Sequence, residues 1–313
     1  MKRKFVLLFA AILMFSLLCD CTTENTNFES GKPVIVCTLF PQYDFARAIA
    51  CGRFEVKLLL APGMESHSFD PSPADVIMIQ KSALFIYTGE NMEPWAAKLI
   101  AAEDAPPFLD VSTGVALSGE HDHGEHDGHD HDEDEHAHAH DPHIWTSPVN
   151  AIKMVENIRD AFITIDPDGE QVYTEDAAAY IVELKELDRE LREVVETSER
   201  NKLIFGGRFA FHYLAEEYGL DCISAYDSCS HETEPSAAAV AELVKTVRAE
   251  GLPVVYHEEI SDPKVARMIA QETGAEMRLL HSCHNLTKSE FDAGESYLSL
   301  MKKNAENIKA GLN

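Results

Sequence analysis

The sequence predicts an α/β protein of two lobes, each a parallel sheet flanked by helices, bridged by one long rigid helix. In both halves of the 313-residue chain, short β-branched apolar runs alternate with helical segments, which is typical of parallel sheets covered on both faces. No flexible Gly/Ser/Pro linker joins the halves, and the longest helical stretch, about residues 170–199, lies there instead. The chain has the length of two ordinary domains, and a hydrophobic content of 45% suffices for packed cores.

The first lobe is assigned to residues 33–165. Its strands are short apolar runs, and Ser72 is placed to cap a helix that begins with Pro73 and carries Asp75 in its first turn. The predicted strands are 33–39, 55–60, 83–87 and 107–111, and the predicted helices are 42–50, 73–81, 94–102 and 148–163. A loop rich in His and Asp, residues 120–142, interrupts this lobe.

The linking helix is assigned to residues 166–200. Its apolar residues fall on one stripe at helical spacing, which predicts one buried face. The stripe consists of Tyr180, Leu184, Leu187, Leu191 and Val194. A stiff connection of this kind is expected to limit closure of the lobes to small tilts.

The second lobe, residues 201–313, repeats the alternation of the first. Its predicted strands are 202–205, 221–225, 253–256 and 277–280, and its predicted helices are 209–218, 236–250, 263–273 and 296–312.

The N-terminus has the features of a bacterial lipoprotein signal. A Lys-Arg-Lys segment at 2–4 precedes an apolar run, 5–18, that is short for a membrane span. The sequence LLCDCTTEN follows, so the expected lipidation site is Cys21 or Cys19. The prediction is a signal peptide over 1–21, a polar tether over 22–32, and an extracytoplasmic location, periplasmic or at the cell surface, with a lipid anchor in the membrane.

The composition restricts the classes of partner. A net charge of −28 argues against nucleic acid, whose phosphates need a basic surface, and is compatible with attraction of cations. Five cysteines follow the signal, so at least one is unpaired, and the sequence has no CxxC pair that would favour a cysteine-based zinc site.

The run from His121 to His143 holds nine of the fifteen histidines, interleaved with Asp, Glu and Gly. Imidazole and carboxylate side chains bind divalent transition metals, so this composition predicts metal binding. The alternative is a solvated acidic loop without a specific ligand. The run by itself does not decide between a main site and an accessory one.

Several potential metal ligands follow predicted strands or precede a helix. In α/β folds, ligands bind beyond the carboxyl ends of the strands, and zinc takes about four N, O or S ligands. The candidates are His67, His143, His257, Glu258, Glu259, His281, Cys283 and His284. Each has an ordinary alternative: an exposed loop histidine, or a carboxylate in the first turn of a helix. Their convergence beside a His-rich run favours a site in the cleft between the lobes.

Several segments, in this order, resemble one known family. They are PGMESHSFDPSPADV, DPHIWTSPVNA, FHYLAEEYGL, ETEPSAAAVAELV, VVYHEEISDPKVARMIAQETGA and SYLSLMKKNAENIKAGL. The chain resembles the metal-specific solute-binding lipoproteins of bacterial ABC importers, the zinc/manganese class, and the His-rich loop is typical of the zinc members. The resemblance covers nearly the whole mature chain. It implies a monomer that captures Zn(II), or else Mn(II), and delivers it to an ABC permease with its cytoplasmic ATPase.

The resemblance also implies a ligand set. The first two histidine ligands of the family correspond to His67 and His143, the third corresponds to Arg208, which cannot bind a cation, and the last, usually an aspartate, corresponds to His281. The expected site is therefore His67, His143 and His281, with Glu258 as fourth ligand. His212, if its helix begins differently, and a water molecule are the alternatives for a vacant position. Three imidazoles and a carboxylate suit zinc over manganese. Further residues expected to bind metal less directly, or to lie behind its ligands, are His212, Arg208, Cys283 and His284.

On this interpretation most of the His-rich run becomes an accessory collector of metal, and only its last histidine joins the site. The accessory residues are His121, His123, His126, His129, His131, His136, His138 and His140. Alternative functions are a manganese- or iron-binding member of the same family and a metal-buffering adhesin. A zinc hydrolase is disfavoured because the chain lacks an HExxH motif, so no enzymatic activity is expected.

Overall fold

Two parallel four-stranded sheets of identical strand order form the framework in the computed structural model, which describes residues 31–117, 140–226 and 235–313. The first sheet has the order β2-β1-β3-β4, with strands β1 Val34–Cys37, β2 Glu55–Leu58, β3 Leu84–Tyr87 and β4 Phe108–Asp110. The second has the order β6-β5-β7-β8, with strands β5 Lys202–Phe205, β6 Asp221–Ser224, β7 Val254–His257 and β8 Glu276–Leu279. The central strand β1 is fully buried, as its β-branched sequence VIVC predicts.

Helices flank both sheets. In the first lobe they are α1 Phe40–Ile49, α2 Pro73–Gln80, α3 Ala96–Ile100 and α4 Pro148–Ile165, the last preceded by a 3-10 turn, Ile144–Thr146. Those of the second lobe are α6 His212–Tyr218, α7 Ala237–Glu250, α8 Lys264–Thr273, α9 Lys288–Ala293 and α10 Tyr297–Leu312. The two-lobed α/β prediction is confirmed, whereas the signal, most of the tether and most of the His-rich loop lie outside the described residues.

Helix α5, Glu170–Glu196, is the long connection between the sheets. Its 27 residues span about 40 Å at 1.5 Å per residue. The predicted stripe is buried at Leu184, Leu187, Leu191 and Val194, and Tyr180 is partly buried. The stripe faces α4 and α1 of the first lobe and α10 of the second. One continuous apolar core therefore runs through both lobes.

The loop after β8 crosses from the second lobe to the first. The amide of Phe40 donates to the carbonyl of His284 at 3.2 Å, and that of Gly63 donates to Leu286 at 2.7 Å. The buried side chain of Asn285 donates to the carbonyls of Ala61, at 2.7 Å, and Met64, at 3.0 Å. Because these bonds fix the backbone on both sides of residue 285, the loop is held against the first lobe.

Three other hydrogen bonds strengthen this junction. The indole of Trp145, which is fully buried, donates to the carbonyl of Ser282 at 2.8 Å. At the start of α10, the amide of Tyr297 donates to Asp44 Oδ2 at 2.9 Å, and its hydroxyl donates to the carbonyl of Trp145 at 2.5 Å. Burial makes each of these polar contacts costly to break. No helix among the described residues is long and apolar enough to cross a membrane.

Candidate metal centre

Three histidines from separate loops meet at the carboxyl ends of the strands. His67 follows β2, His143 precedes the 3-10 turn before α4, and His284 follows β8. One potential ligand atom from each lies within 4.8 Å of the others, and no other such group of three occurs in the described part of the chain. His67 Nε2 and His143 Nε2 are 3.4 Å apart. Two nitrogens bound to one tetrahedral zinc at 2.0–2.1 Å lie about 3.4 Å apart, so this spacing fits a shared ion.

His143 is oriented by a carboxylate two residues earlier. Asp141 Oδ1 accepts from the backbone amide of His143 at 2.7 Å and lies 2.8 Å from its Nδ1. With its proton on Nδ1, the ring turns the lone pair of Nε2 toward His67, the arrangement common behind metal-bound histidines. His212 Nε2 lies 3.7 Å from Asp141 Oδ2, and the Tyr213 hydroxyl donates to the Asp141 carbonyl at 2.8 Å. His212 thus lies behind the cluster.

His284 is oriented through a serine. Its Nδ1 contacts Ser282 Oγ, and that hydroxyl donates to Glu259 Oε1 at 2.5 Å. The amide of Ser282 donates to Glu259 Oε2 at 2.8 Å. His284 Nε2 is buried and has no hydrogen-bond partner. A buried nitrogen of this kind is costly unless a ligand binds it, and its neighbours are His67 and His143, with ring centroids at 5.2 and 4.5 Å.

The loop of His67 is shaped by Glu65. The amide of His67 donates to Glu65 Oε1 at 2.9 Å, and that of Ser68 donates to Oε2 at 2.8 Å. Burial, with the positive charge that His143 can carry, lowers the pKa of His67 to about 4. Burial likewise lowers the pKa of His284 well below its ordinary value. Both rings are therefore neutral at pH 7, as metal ligands must be.

His281, which the resemblance placed among the ligands, does not join the cluster. Its Nδ1 accepts from the amide of Cys283 at 3.0 Å, and its Nε2 lies 3.7 Å from Glu290 Oε1. The buried Cys283 has a φ of 61°, in the left-handed region. The chain reverses there, so His281 faces Glu290 and His284 faces the other two histidines. This reversal, which costs a non-glycine residue backbone energy, is why His284 and not His281 completes the three.

Glu258, the expected fourth ligand, is also absent from the cluster. Its Oε1 accepts from Ser261 Oγ at 2.6 Å, and its Oε2 is buried without a hydrogen-bond partner. It lies so close over Gly207 that a Cβ on that glycine would be 1.7 Å from Oε2. Cys283 is likewise turned away from the histidines, with Sγ 3.7 Å from the carbonyl of His281.

A cavity of about 330 Å³ opens beside the histidines. One side is formed by Met64–His67 with His284, and the other by two loops of the second lobe, 206–210 after β5 and 258–264 after β7. Arg208 and Glu258 both line it. The positive charge of Arg208 contributes to the lowered pKa of His67, after burial, His143 and the opposing effect of Glu65.

Comparison with known proteins identifies the family. Residues 35–311 match the family model described as the periplasmic zinc-uptake complex component A, ZnuA. The chain belongs to this family. It is 36% identical over 318 residues to the high-affinity zinc uptake system protein ZnuA of Bacillus subtilis, covering 100% of this chain and 99% of that one.

Longer relatives and solved structures agree with this membership. The zinc-binding lipoprotein AdcA of Streptococcus pneumoniae is 36% identical over 99% of this chain, which spans 61% of that relative's length. The crystal structure of the metal-dependent lipoprotein YcdH of Bacillus subtilis superimposes with a TM-score of 0.75 at 33% identity, over 90% of this chain and 99% of that one. The Zn(II)-bound ZnuA-like domain of Streptococcus pneumoniae AdcA superimposes with a TM-score of 0.75 at 32% identity, with the same coverage.

The orienting residues Asp141, Ser282 and Glu259 were not singled out by sequence for this role. For Asp141 a signal existed, since the spacing Asp-x-His lets a carboxylate reach the ring two residues later. For Ser282 and Glu259 none existed, because they meet only across two loops of the folded chain. Of the accessory histidines the structure describes only His140, which is exposed, and both Cys19 and Cys21 lie outside the described residues.

Proposed function

We propose that this protein captures Zn(II) outside the cytoplasm and delivers it to an ABC-type importer, a permease with its cytoplasmic ATPase. The observation that carries the proposal is the convergence of His67, His143 and His284, with 3.4 Å between the first two Nε2 atoms. Membership in the zinc-uptake family and similarity to zinc-binding relatives support it. Zinc is favoured over manganese because all three ligands are imidazoles, and manganese prefers oxygen.

The histidine rings are already unprotonated and oriented, so binding the ion requires little rearrangement of the site. Lowered pKa values keep His67 and His284 neutral, so few protons have to leave at pH 7. Hydrogen bonds to Asp141 and Ser282 hold the rings of His143 and His284 in place. Pre-oriented, unprotonated ligands raise affinity, which suits a protein that has to take up a scarce metal. Zinc affinity should still fall at acid pH, where the ligands protonate.

The setting of the protein is part of the proposal. A lipoprotein signal with lipidation at Cys21, or Cys19, would anchor the chain to the outer face of the cell membrane, and the accessory loop would collect zinc near His143. The protein would act as a monomer and without catalysis. A manganese- or iron-carrying role and a metal-buffering adhesin remain the alternative functions; zinc-limited growth of a deletion strain distinguishes transport from the latter.

Isothermal titration of the mature chain with zinc tests the site. We expect one tight site, lost when His67, His143 or His284 is replaced by alanine, and weaker binding that disappears on deletion of 121–140. His257→Ala is the matched control, because its Nδ1 already contacts the Glu258 carbonyl, at 2.8 Å, outside the cluster. If His281→Ala removes the tight site while His284→Ala retains it, the assignment of ligands is wrong.

A further inference from the structure

The cavity beside the three histidines is far larger than a metal ion requires. Its volume is about 330 Å³, whereas one water molecule occupies roughly 30 Å³ of liquid. Sites for small organic molecules begin near about 300 Å³. The space is continuous with the metal centre, since His67 and His284 line it. It can therefore hold a small molecule in contact with a bound ion.

The described protein ligands leave one position of a tetrahedral zinc open. Three imidazoles occupy three positions, and no carboxylate among the described residues belongs to the cluster. Glu258 accepts a hydrogen bond from Ser261 and lies close over Gly207. Glu259 accepts a hydrogen bond from Ser282. The fourth ligand thus comes from outside this set of side chains.

Arg208 provides a cation on the wall of the same cavity. Its guanidinium is half-buried and makes no hydrogen bond or ion pair with any other described residue. It is close enough to His67 for its charge to disfavour protonation of that ring. A guanidinium is a planar fork of donors that matches the two oxygens of a carboxylate or carbonate group.

Zinc and Arg208 attract an anion. Of the four carboxylates that also line the cavity, Glu65, Glu258 and Glu259 accept hydrogen bonds within the protein, and Asp262 pairs with Arg267. Zinc with three neutral imidazoles keeps its full double positive charge, and the ion becomes the largest local charge in the site. Arg208 adds a further positive charge on the cavity wall. An oxyanion between the two would offset part of both charges, whereas a water molecule at the fourth position would leave Arg208 without a partner among the described residues.

We propose that the cavity binds a small oxyanion of the carboxylate or carbonate type, which occupies the fourth position on the metal and is held by the fork of Arg208. This inference rests on the proposed function and deepens it: the cargo is zinc together with a small anionic ligand. The cavity also has room for the rest of a carboxylate-bearing molecule, and Met64 and Ile260, which line it from either lobe, expose apolar surface.

Cobalt substitution gives the test a readout at the metal. The Co(II)-loaded mature protein is titrated with acetate, with bicarbonate and with chloride, and the visible d–d bands are followed. We expect saturable spectral changes with the two oxyanions. Arg208→Gln should weaken their binding by about tenfold or more, because a charge-assisted pair is lost. Arg208→Gln should change the affinity for chloride much less than the affinity for the oxyanions, because chloride cannot accept from two parallel guanidinium donors.

Metal affinity measured in anion-free buffer separates this role from a structural one. Arg208 repels a cation at His67, so Arg208→Gln should bind cobalt as tightly as the wild type or more tightly, while a structural defect would weaken both bindings. Arg208→Lys keeps the charge but not the fork, and should bind oxyanions with intermediate affinity. Arg248→Gln, at an exposed pair with Glu272 outside the cavity, is the matched control.

The outcomes are distinct. Oxyanions that leave the wild-type spectrum unchanged, or that bind Arg208→Gln and Arg208→Lys as tightly as the wild type, would overturn the inference and leave the zinc site intact. Failure of the wild type to bind cobalt or zinc tightly would instead overturn the proposed function. Acetate and bicarbonate arms distinguish a carboxylate-bearing ligand from carbonate, since the better fit should saturate at the lower concentration.

Discussion

Two of the three clustered histidines are held by a partner on Nδ1, so that Nε2 is presented to the site. Asp141 contacts Nδ1 of His143 directly, and Glu259 acts on Nδ1 of His284 through the hydroxyl of Ser282. The direct contact and the relay come from different lobes but have the same effect on the ring. Replacing such partners behind a metal ligand typically costs a factor of about 10 to 100 in affinity, so the site extends beyond the residues that would touch zinc.

Another buried carboxyl, that of Glu93, belongs to the framework and not to the metal centre. It accepts from the Thr38 hydroxyl and, at 3.0 Å, from the amide of Thr88, and so ties the ends of β1 and β3 together. Burial raises its pKa to about 7, despite these hydrogen bonds, which oppose the shift. The native state therefore holds a proton here that the unfolded chain releases near its ordinary pKa of 4.5.

This gives a stability prediction with a defined sign. Below pH 4.5 both states are protonated and nothing is lost, but between about pH 4.5 and 7 the unfolded chain alone ionises, so the contribution of Glu93 to stability declines. Glu93→Gln should remove this decline and stabilise the protein by up to about 3 kcal/mol above pH 7. Urea unfolding at pH 4.5 and 8 measures it. The exposed Glu90→Gln is the control, and equal gains at both pH values would contradict the explanation.

At the scale of elements, the loop after β8 carries both a histidine of the cluster and the junction of the lobes. Asn285, which is fully buried, donates to two carbonyls of the first lobe, and His284 and Leu286 on either side accept from first-lobe amides. The position of His284 is thus set by the lobe that supplies His67 and His143. All three histidines belong to one hydrogen-bonded unit, although the chain reaches it from both sheets.

Asn285→Ala tests this arrangement. Loss of two buried hydrogen bonds should lower the free energy of unfolding by about 1 to 3 kcal/mol and also weaken zinc binding, because His284 loses its fixed position. Asn307→Ala is the matched control: its amide donates to the Leu279 carbonyl at 2.9 Å, within the second lobe. It should lose stability but keep zinc affinity. Urea unfolding of the metal-free forms and zinc titration measure the two effects; equal zinc affinities in both variants would contradict the idea.

The elements also explain which predictions from sequence succeed. Strand β5 occupies the predicted residues 202–205, because an apolar run this short favours a buried strand over a helix. Helix α6 begins at His212 and not at 209, since the aromatic residues before it are buried without helical geometry. Helix α9 was missed, although its start, Thr-Lys-Ser-Glu, has the capping-box pattern that the structure forms between Thr287 and Glu290.

The sequence predicts the region of the candidate site, because its residues follow predicted strands, but it does not predict which of those residues meet. His67 and His143 were expected and lie in the cluster. The choice of His284 over His281 depends on the backbone reversal at Cys283, and sequence patterns do not reveal a positive φ at a cysteine. Glu258 does not belong to the cluster, and its Oε1 instead accepts from the Ser261 hydroxyl, a local contact that sequence patterns do not reveal.

At the scale of the molecule, the two lobes share one apolar core along α5 and α10. Residues of both sheets, such as Ile35 of β1 and Phe205 of β5, belong to it. The long helix contacts elements of both lobes along one face. A shared core makes separate unfolding of either lobe costly, and wide opening of the cleft would break the buried bonds of residues 282–286.

Zinc should therefore stabilise both lobes together and not only the loops that bind it. A ligand that binds the native state alone adds stability by mass action, about 4 kcal/mol at a thousandfold excess over its dissociation constant. Hydrogen exchange read by mass spectrometry should show slower exchange on zinc addition both in β1 of the first sheet and in β5 of the second. Neither strand contributes a ligand, so slowing in both reports on the whole core.

His67→Ala with His143→Ala, which removes the site, is the control and should show no slowing. Protection confined to the first lobe would mean that the second lobe unfolds independently, and that the shared core does not couple the two.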